Sequence, residues 1–333
     1  MIGLDLGAHS IKAMAISEGA KGIQVDAIAD IPIPQGILVD NHLEDIHKIS
    51  FFIRQLQQYF PSHYKHAAIA VAGVDVMTKV LEIEASVNHY ELETLVEIEI
   101  ENSIPFPRDE IFVDFEIQRK DDENTGINNV LVSTARKEHV LSHVQCVKEG
   151  GYVTTIVDIA DHALTRAVEF LLSEEELKQG VAIVDIGVSQ MTLNVVYQGN
   201  IIFSRSKNHG RNITEDKPSP ETSLFNMATK HELKDSVEDE SLFIDSLINH
   251  LRIDLKIFSN STDTVHVNQL ILTGGGALLP GLVARFQDNL ALTIVLAQPE
   301  LVFNSSLEQA TFLHSGAKYM LALGLALRGV KRV

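Results

Sequence analysis

Cysteine is all but missing from these 333 residues. The lone Cys146 excludes an internal disulfide, and a reducing, cytoplasmic setting is expected. Positive charge is scarce as well. Against 45 acidic residues stand 27 basic ones, and the resulting formal charge of −18 repels nucleic acid and anionic membrane surfaces. Nucleic acid is therefore not expected as a partner. Long apolar runs are also absent: the most apolar late stretch, Tyr319 to Leu327, falls far short of the roughly 20 residues a spanning helix needs. No basic segment followed by an apolar one opens the sequence, so neither a leader nor direct membrane insertion is expected. What remains is an ordinary apolar fraction of 45% over a length that one core seldom serves, which points to two domains.

The first sign of organisation is internal. Ile2-Gly3-Leu4-Asp5-Leu6-Gly7 is echoed by Ile183-Val184-Asp185-Ile186-Gly187, and each opens a hairpin pattern. In the first copy, apolar runs at Ile11 to Ile16 and Ile23 to Ile31 flank a glycine turn. In the second, Met191 to Tyr197 and Ile201 to Ser204 flank Gln198-Gly199-Asn200. Two β-meanders thus anchor two halves. A helix is predicted over His42 to Phe60 from its apolar spacing, followed by a strand at Ala67 to Ala72. Residues 77–157 read as an inserted βαββα block whose first helix opens with the capping box Asn88/Glu91. Helices are also predicted near Ser241 to Phe258, from Pro280, and from Ser315 to Leu327. A strand over Gln269 to Leu272 runs into Gly274-Gly275-Gly276.

A strand ending in Asp-(Leu/Ile)-Gly and turning directly into another strand suits phosphate binding. Glycine permits a tight turn with amides facing inward, and the aspartate can hold a hydrated magnesium ion. Ser10 and Lys12 add a hydroxyl and a cation beside the first turn, and Thr192 a hydroxyl beside the second. One Asp-x-Gly is an ordinary turn; two in matching meanders are a stronger signal. The glycines 274–276 with Ala277 would let a flat base or ribose lie against bare backbone. His139 and His143, four apart on one helix, read as a solvated face, because no third metal ligand is evident. Cys146 reads as a small core residue.

These motifs, in this order, resemble the actin-like ATPase superfamily: an α/β fold of two duplicated ribonuclease-H-like domains with nucleotide between them. The inserted block narrows the likeness to the division protein FtsA and the type IV pilus assembly proteins of the PilM family. Ser103-Ile104-Pro105-Phe106-Pro107-Arg108 and Ala322-Leu323-Gly324-Leu325-Ala326-Leu327-Arg328 look like the latter pattern. The resemblance implies ATP with Mg2+ as ligands. Asp5, Gly7, Ser10 and Lys12 fall on the first phosphate loop, Asp185, Gly187 and Thr192 on the second, and Gly274, Gly275, Gly276 and Ala277 on the adenosine motif. Gly210 lies where the family has a paired glycine. Asp5 and Asp185 would hold magnesium through water, and Asp161 falls where the superfamily orients water for hydrolysis.

The implied layout is a first subdomain over 1–76 and 158–178, an insert over 77–157, a second subdomain over 179–206 and 265–333, and a small nucleotide-facing subdomain over 207–264. The implied role is an adaptor at the inner face of the inner membrane, binding the N-terminal cytoplasmic peptide of PilN and linking it to other type IV pilus inner-membrane components. Leu92, Leu95, Val96, Ile104 and Phe106 of the insert are expected to offer that peptide apolar surface. The alternatives are an ATPase, kinase or phosphatase relative with real turnover, and an FtsA-like filament protein.

Overall fold

Along the chain the computed structural model has, in order, β1 Ile2–Leu6, β2 Ser10–Gly19, β3 Gly22–Pro32, β4 Leu38–Val39, β5 His42–Leu43, α1 Ile46–Gln55, β6 His66–Val71, β7 Val76–Glu84, α2 His89–Ser103, β8 Ile111–Ile117, β9 Ile127–Arg136, α3 Lys137–Glu149, β10 Val153–Ile159, α4 Ala160–Leu171 and α5 Glu174–Leu177. There follow β11 Gly180–Ile186, β12 Met191–Tyr197, β13 Asn200–Lys207, α6 Lys230–Ser261, β14 Val267–Thr273, α7 Leu282–Asn289, β15 Thr293–Leu296 and α8 Met320–Leu327. The structure describes residues 1–19, 22–118, 126–188, 190–208, 230–262, 264–303 and 315–330, with the backbone alone for 230–239.

The duplication seen in sequence is a duplication of topology. One sheet runs β10-β6-β1-β2-β3 and the other β13-β12-β11-β14-β15. In each, an antiparallel meander is extended by two parallel strands from its first member, β6 and β10 in one case, β14 and β15 in the other. Parallel neighbours need crossovers, and helices supply them, which places helices over the sheet faces. The near-continuous apolar runs of β1 and β11 follow from that cover: Ile2 and Leu4, Ile183 and Val184 are at most 1% exposed.

The two halves meet at a joint of small residues. Helix α8 lies on β1 where a Cβ on Gly3 would stand 2.0 Å from the Ala322 carbonyl oxygen. It crosses α4 where a Cβ on Gly324 would stand 1.7 Å from the Ala163 carbonyl oxygen. Glycine is required at both points because backbone occupies the side-chain space. One apolar core, with Met14, Leu164, Ile183 and Leu323 among its members, spans both sheets and both helices.

Several sequence expectations are corrected. The helix expected over His42 to Phe60 begins only at Ile46, capped by Asp45, whose carboxylate accepts from the Lys48 amide at 3.0 Å. His42 and Leu43 belong instead to the β4–β5 hairpin. The block expected to reach 157 divides at Arg136: β7, α2, β8 and β9 share one small core, whereas α3 packs on α1 through Cys146 and Val147 and β10 pairs with β6. Leu92 and Val96 are core of that insert, at 4% and 1% exposure, with Ile104 and Phe106 packed against it, so of the five expected surface residues Leu95 alone is well exposed. The Asn88/Glu91 capping box is present.

Candidate functional site

The meander register builds the site. In the first half the turn after β1 is closed by the Gly7 amide donating to the Ser10 carbonyl at 3.2 Å; in the second, the Gly187 amide donates to the Gln190 carbonyl at 2.8 Å. Counting outward from each turn, Asp5 lies opposite Lys12 and Asp185 opposite Thr192. One strand further, Lys12 faces Asp30 and Thr192 faces Ser206. The same rung therefore carries acid, lysine, acid in one half and acid, hydroxyl, hydroxyl in the other. Both rungs line one cleft of about 680 Å³ between the halves.

Charge in this cleft is uneven. Lys12 Nζ sits 3.3 Å from Asp5 Oδ2. Burial works to lower the Lys12 ammonium, but Asp5, Asp30 and Asp185 outweigh it and hold its pKa above the ordinary lysine value. Burial would raise Asp30, yet bonds from Lys318 and Ser10 together with the Lys12 charge hold it below the usual carboxylate range. Asp185 is the opposite case. Burial, with the nearby charges of Asp5 and Asp161, pushes it up to about 6, only partly offset by the Thr273 hydroxyl, which donates to its Oδ1 at 2.9 Å, and by Lys12.

The triple glycine divides its work. Gly274 has φ +84°, and a Cβ there would lie 2.5 Å from the Ile186 carbonyl oxygen; a Cβ on Gly276 would lie 2.3 Å from Ile186 Cγ2. These two glycines let the third loop rest directly on the second Asp-Gly turn. A Cβ on Gly275 would meet nothing within 4 Å, so Gly275 presents bare backbone to the cleft. Asp161, in the first turn of α4, accepts a hydrogen bond from the Ser204 hydroxyl of β13 at 2.8 Å, a contact between the halves.

Of the residues predicted from sequence, Asp5, Gly7, Ser10, Lys12, Asp161, Asp185, Gly187, Thr192, Gly274 and Gly275 line this one cleft. Gly276 and Ala277 are buried behind it. Gly210 lies outside the described residues. Sequence reasoning missed Asp30, Lys318, Asn41 and Gln190. Asp30 was findable by laying the third strand of the meander against the second, which sets it opposite Lys12. Asn41, whose amide donates to Gln190 across the cleft at 3.3 Å, sits in the β4–β5 turn with φ 68°, and that hairpin carried no clear signal.

The chain matches the model of the type IV pilus assembly protein PilM family over residues 3–330. It is 21% identical over 352 residues to the cell division protein FtsA of Bacillus subtilis (strain 168), an alignment covering 90% of this chain and 79% of FtsA. Among solved structures, a PilM-PilN type IV pilus biogenesis complex superposes with a TM-score of 0.82 at 22% identity, covering 99% of this chain and 98% of that one. The ethanolamine utilization protein EutJ of Carboxydothermus hydrogenoformans follows with a TM-score of 0.53 at 13% identity, covering 98% and 88%. The fold is the actin-like α/β fold. With a family match that runs almost from end to end, the chain belongs to the family of the type IV pilus assembly protein PilM.

Proposed function

We propose that the cleft between the two Asp-Gly turns binds ATP with Mg2+, and that the loaded protein acts in type IV pilus assembly as a cytoplasmic adaptor for the N-terminal peptide of PilN. The observation that carries the nucleotide reading is the matched pair of turns opening on one cleft beside a part-buried lysine. Each turn glycine spends its own amide on closing the turn. The amides left for phosphate oxygens are those of the tip residues that line the cleft, Ala8 and His9 on one side and Val188 on the other. Lys12 supplies the cation, Asp5 and Asp185 the carboxylates for a hydrated magnesium, and Gly275 a flat floor. Bound magnesium would neutralise phosphate charge and relieve the crowding of Asp5, Asp161 and Asp185.

Holding is favoured over cleaving, since Asp161 is engaged by Ser204 instead of standing free to orient water. The peptide's place is the face of the β7-β9-β8 sheet opposite α2. Val76 and Thr78 of that face line the same cleft, and Val80 and Phe112 on it are exposed. The acidic Glu82, Asp114 and Glu116 share the face by register, which suits a peptide carrying basic residues. Other type IV pilus inner-membrane components would then be reached through PilN at the inner face of the inner membrane.

Calorimetric titration of the full chain with ATP and Mg2+ tests the first part: saturable one-to-one binding is expected, and no heat at millimolar ATP would sink it. For the second, Phe112→Asp is expected to weaken capture of a PilN N-terminal peptide at least about 10-fold, because it removes an aromatic anchor and sets a carboxylate in its place. Capture unchanged by this variant would remove the peptide from that face.

A further inference from the structure

Three side chains remote in sequence converge outside the nucleotide cleft's two turns. His42 comes from β5, Asp75 from the link between β6 and β7, and His139 from the first turn of α3. One donor atom of each lies within 4.8 Å of the others. Asp75 Oδ2 is 3.2 Å from His139 Nδ1 and 3.3 Å from His42 Nε2. A tetrahedral zinc ion with bonds near 2.0–2.1 Å keeps its ligand atoms roughly 3.4 Å apart, so two of the three edges already have that length. The third, between the two imidazoles, is no longer than 4.8 Å and would close by a turn of the His42 ring, whose side chain is 48% exposed.

The other two members are held from behind. Asp75, 6% exposed, has Arg136 Nη1 3.7 Å from its second oxygen, and its backbone carbonyl accepts from the Arg136 amide at 3.0 Å. His139, 4% exposed, is backed by the His143 ring stacked at 4.6 Å. His143 is itself fixed by an Nδ1 contact to the His139 carbonyl at 2.9 Å. Oriented carboxylates and packed imidazoles are what a ligand set needs before the ion arrives. Both rings are buried, at 4% and 3% exposure, which overturns the sequence reading of His139 and His143 as a solvated face; His143 backs the cluster and is not one of its three members.

We propose that His42, Asp75 and His139 form a binding site for a divalent transition-metal ion of the zinc class, with a fourth position open to water. The location gives the ion a use. Asp75 immediately precedes β7 and His139 follows β9 by three residues, so these two ligands sit where the chain enters and leaves the inserted sheet, while His42 belongs to the first half. A bound ion crosslinks both crossings to the β4–β5 hairpin and fixes the insert's orientation.

The test uses the tag-free full chain without nucleotide, titrated with Zn2+ by calorimetry and with Co2+ by visible absorption. One-to-one binding is expected, with the absorption of tetrahedral cobalt appearing and being displaced by zinc. His42→Ala, on a half-exposed side chain whose loss leaves the core intact, should weaken binding at least about 100-fold, and the near-isosteric Asp75→Asn should do the same, while exposed His63→Ala changes nothing. Absence of stoichiometric binding by the unmodified chain overturns the site, as does binding that survives both ligand substitutions. Either result leaves a His-Asp-His cluster in which one carboxylate oxygen is hydrogen-bonded to the His139 ring and lies 3.3 Å from His42 Nε2. Because no ATP is present, failure of the nucleotide reading leaves this outcome untouched.

Discussion

The two Asp-Gly turns share strand register and closing hydrogen bond, yet their sequences differ at every position but the aspartate and the glycine. In the first half Asp5 faces Lys12, which faces Asp30 in turn. In the second Asp185 faces Thr192, which faces Ser206 at 2.9 Å between hydroxyl oxygens. The first row is charged, with Lys12 on the row beside Asp5 and Lys318 off it beside Asp30; the second leaves its carboxylate with hydroxyls alone on its row, and Asp185 rises to about 6. Duplication copied a frame, and the rungs then diverged so that one half carries the cation and the other the unrelieved acid. The difference extends behind the turn. Gly3 of β1 admits α8 against bare backbone, whereas the corresponding strand position in the second half is Ile183, 1% exposed.

The comparison breaks hardest behind the first turn. Gly3→Val drives a branched side chain into the Ala322 carbonyl, and a loss of about 3 kcal/mol or more is expected from the urea midpoint followed by circular dichroism. Ile183→Val, at the corresponding position, should cost only about 1 kcal/mol. Next comes the cation. Lys12→Ala removes the one lysine on these rungs and should weaken ATP·Mg binding by about 2–3 kcal/mol in calorimetry, on the order of 100-fold, while Thr192→Ala loses about 1 kcal/mol, a few-fold. Equal losses would mean that the two rows do not differ in function.

The unrelieved acid gives a signed pH effect. With a folded pKa of about 6 against an ordinary 3.8, the folded protein binds this proton more tightly than the unfolded chain. Its contribution to stability is therefore largest at low pH and is lost as pH rises through about 6. Asp185→Asn should stabilise the protein near pH 7.5 by on the order of 2 kcal/mol, with the gain shrinking toward pH 4 in parallel urea titrations, even as it weakens ATP·Mg binding. Smallest is Asp161→Ala: losing the Ser204 bond should cost about 0.5–1 kcal/mol and leave ATP affinity within a few-fold.

Features set by local pattern were legible in the sequence. The two meanders, their turns and the capping box at Asn88 depend on residues within a few positions of each other, and each is present as read. What escaped depends on neighbours distant in the chain. Leu43 and Ile46 fall at helical spacing, so nothing local distinguished a hairpin strand from a first helical turn. His139 and His143 look like a polar stripe until α3 is laid against the first half and the β4–β5 hairpin brings His42 beside them. Leu92 and Val96 looked like spare apolar surface because the strands they cover, β7 and β9, lie at either end of the insert's sequence. Within the site the aspartates and glycines were readable as motifs, whereas Asp30 and Lys318, which pair over 288 positions, were not.

The bare backbone of Gly3 also bears on the order of assembly. The second residue of β1 is covered by Ala322 and Ala326, more than three hundred residues downstream. During synthesis the first sheet can pair its strands early, but the surface around Gly3 stays open to water until α8 emerges. The N-terminal half is thus made first and finished last, and a ribosome-stalled chain ending before residue 320 should remain protease-sensitive in a half whose own strands are all complete.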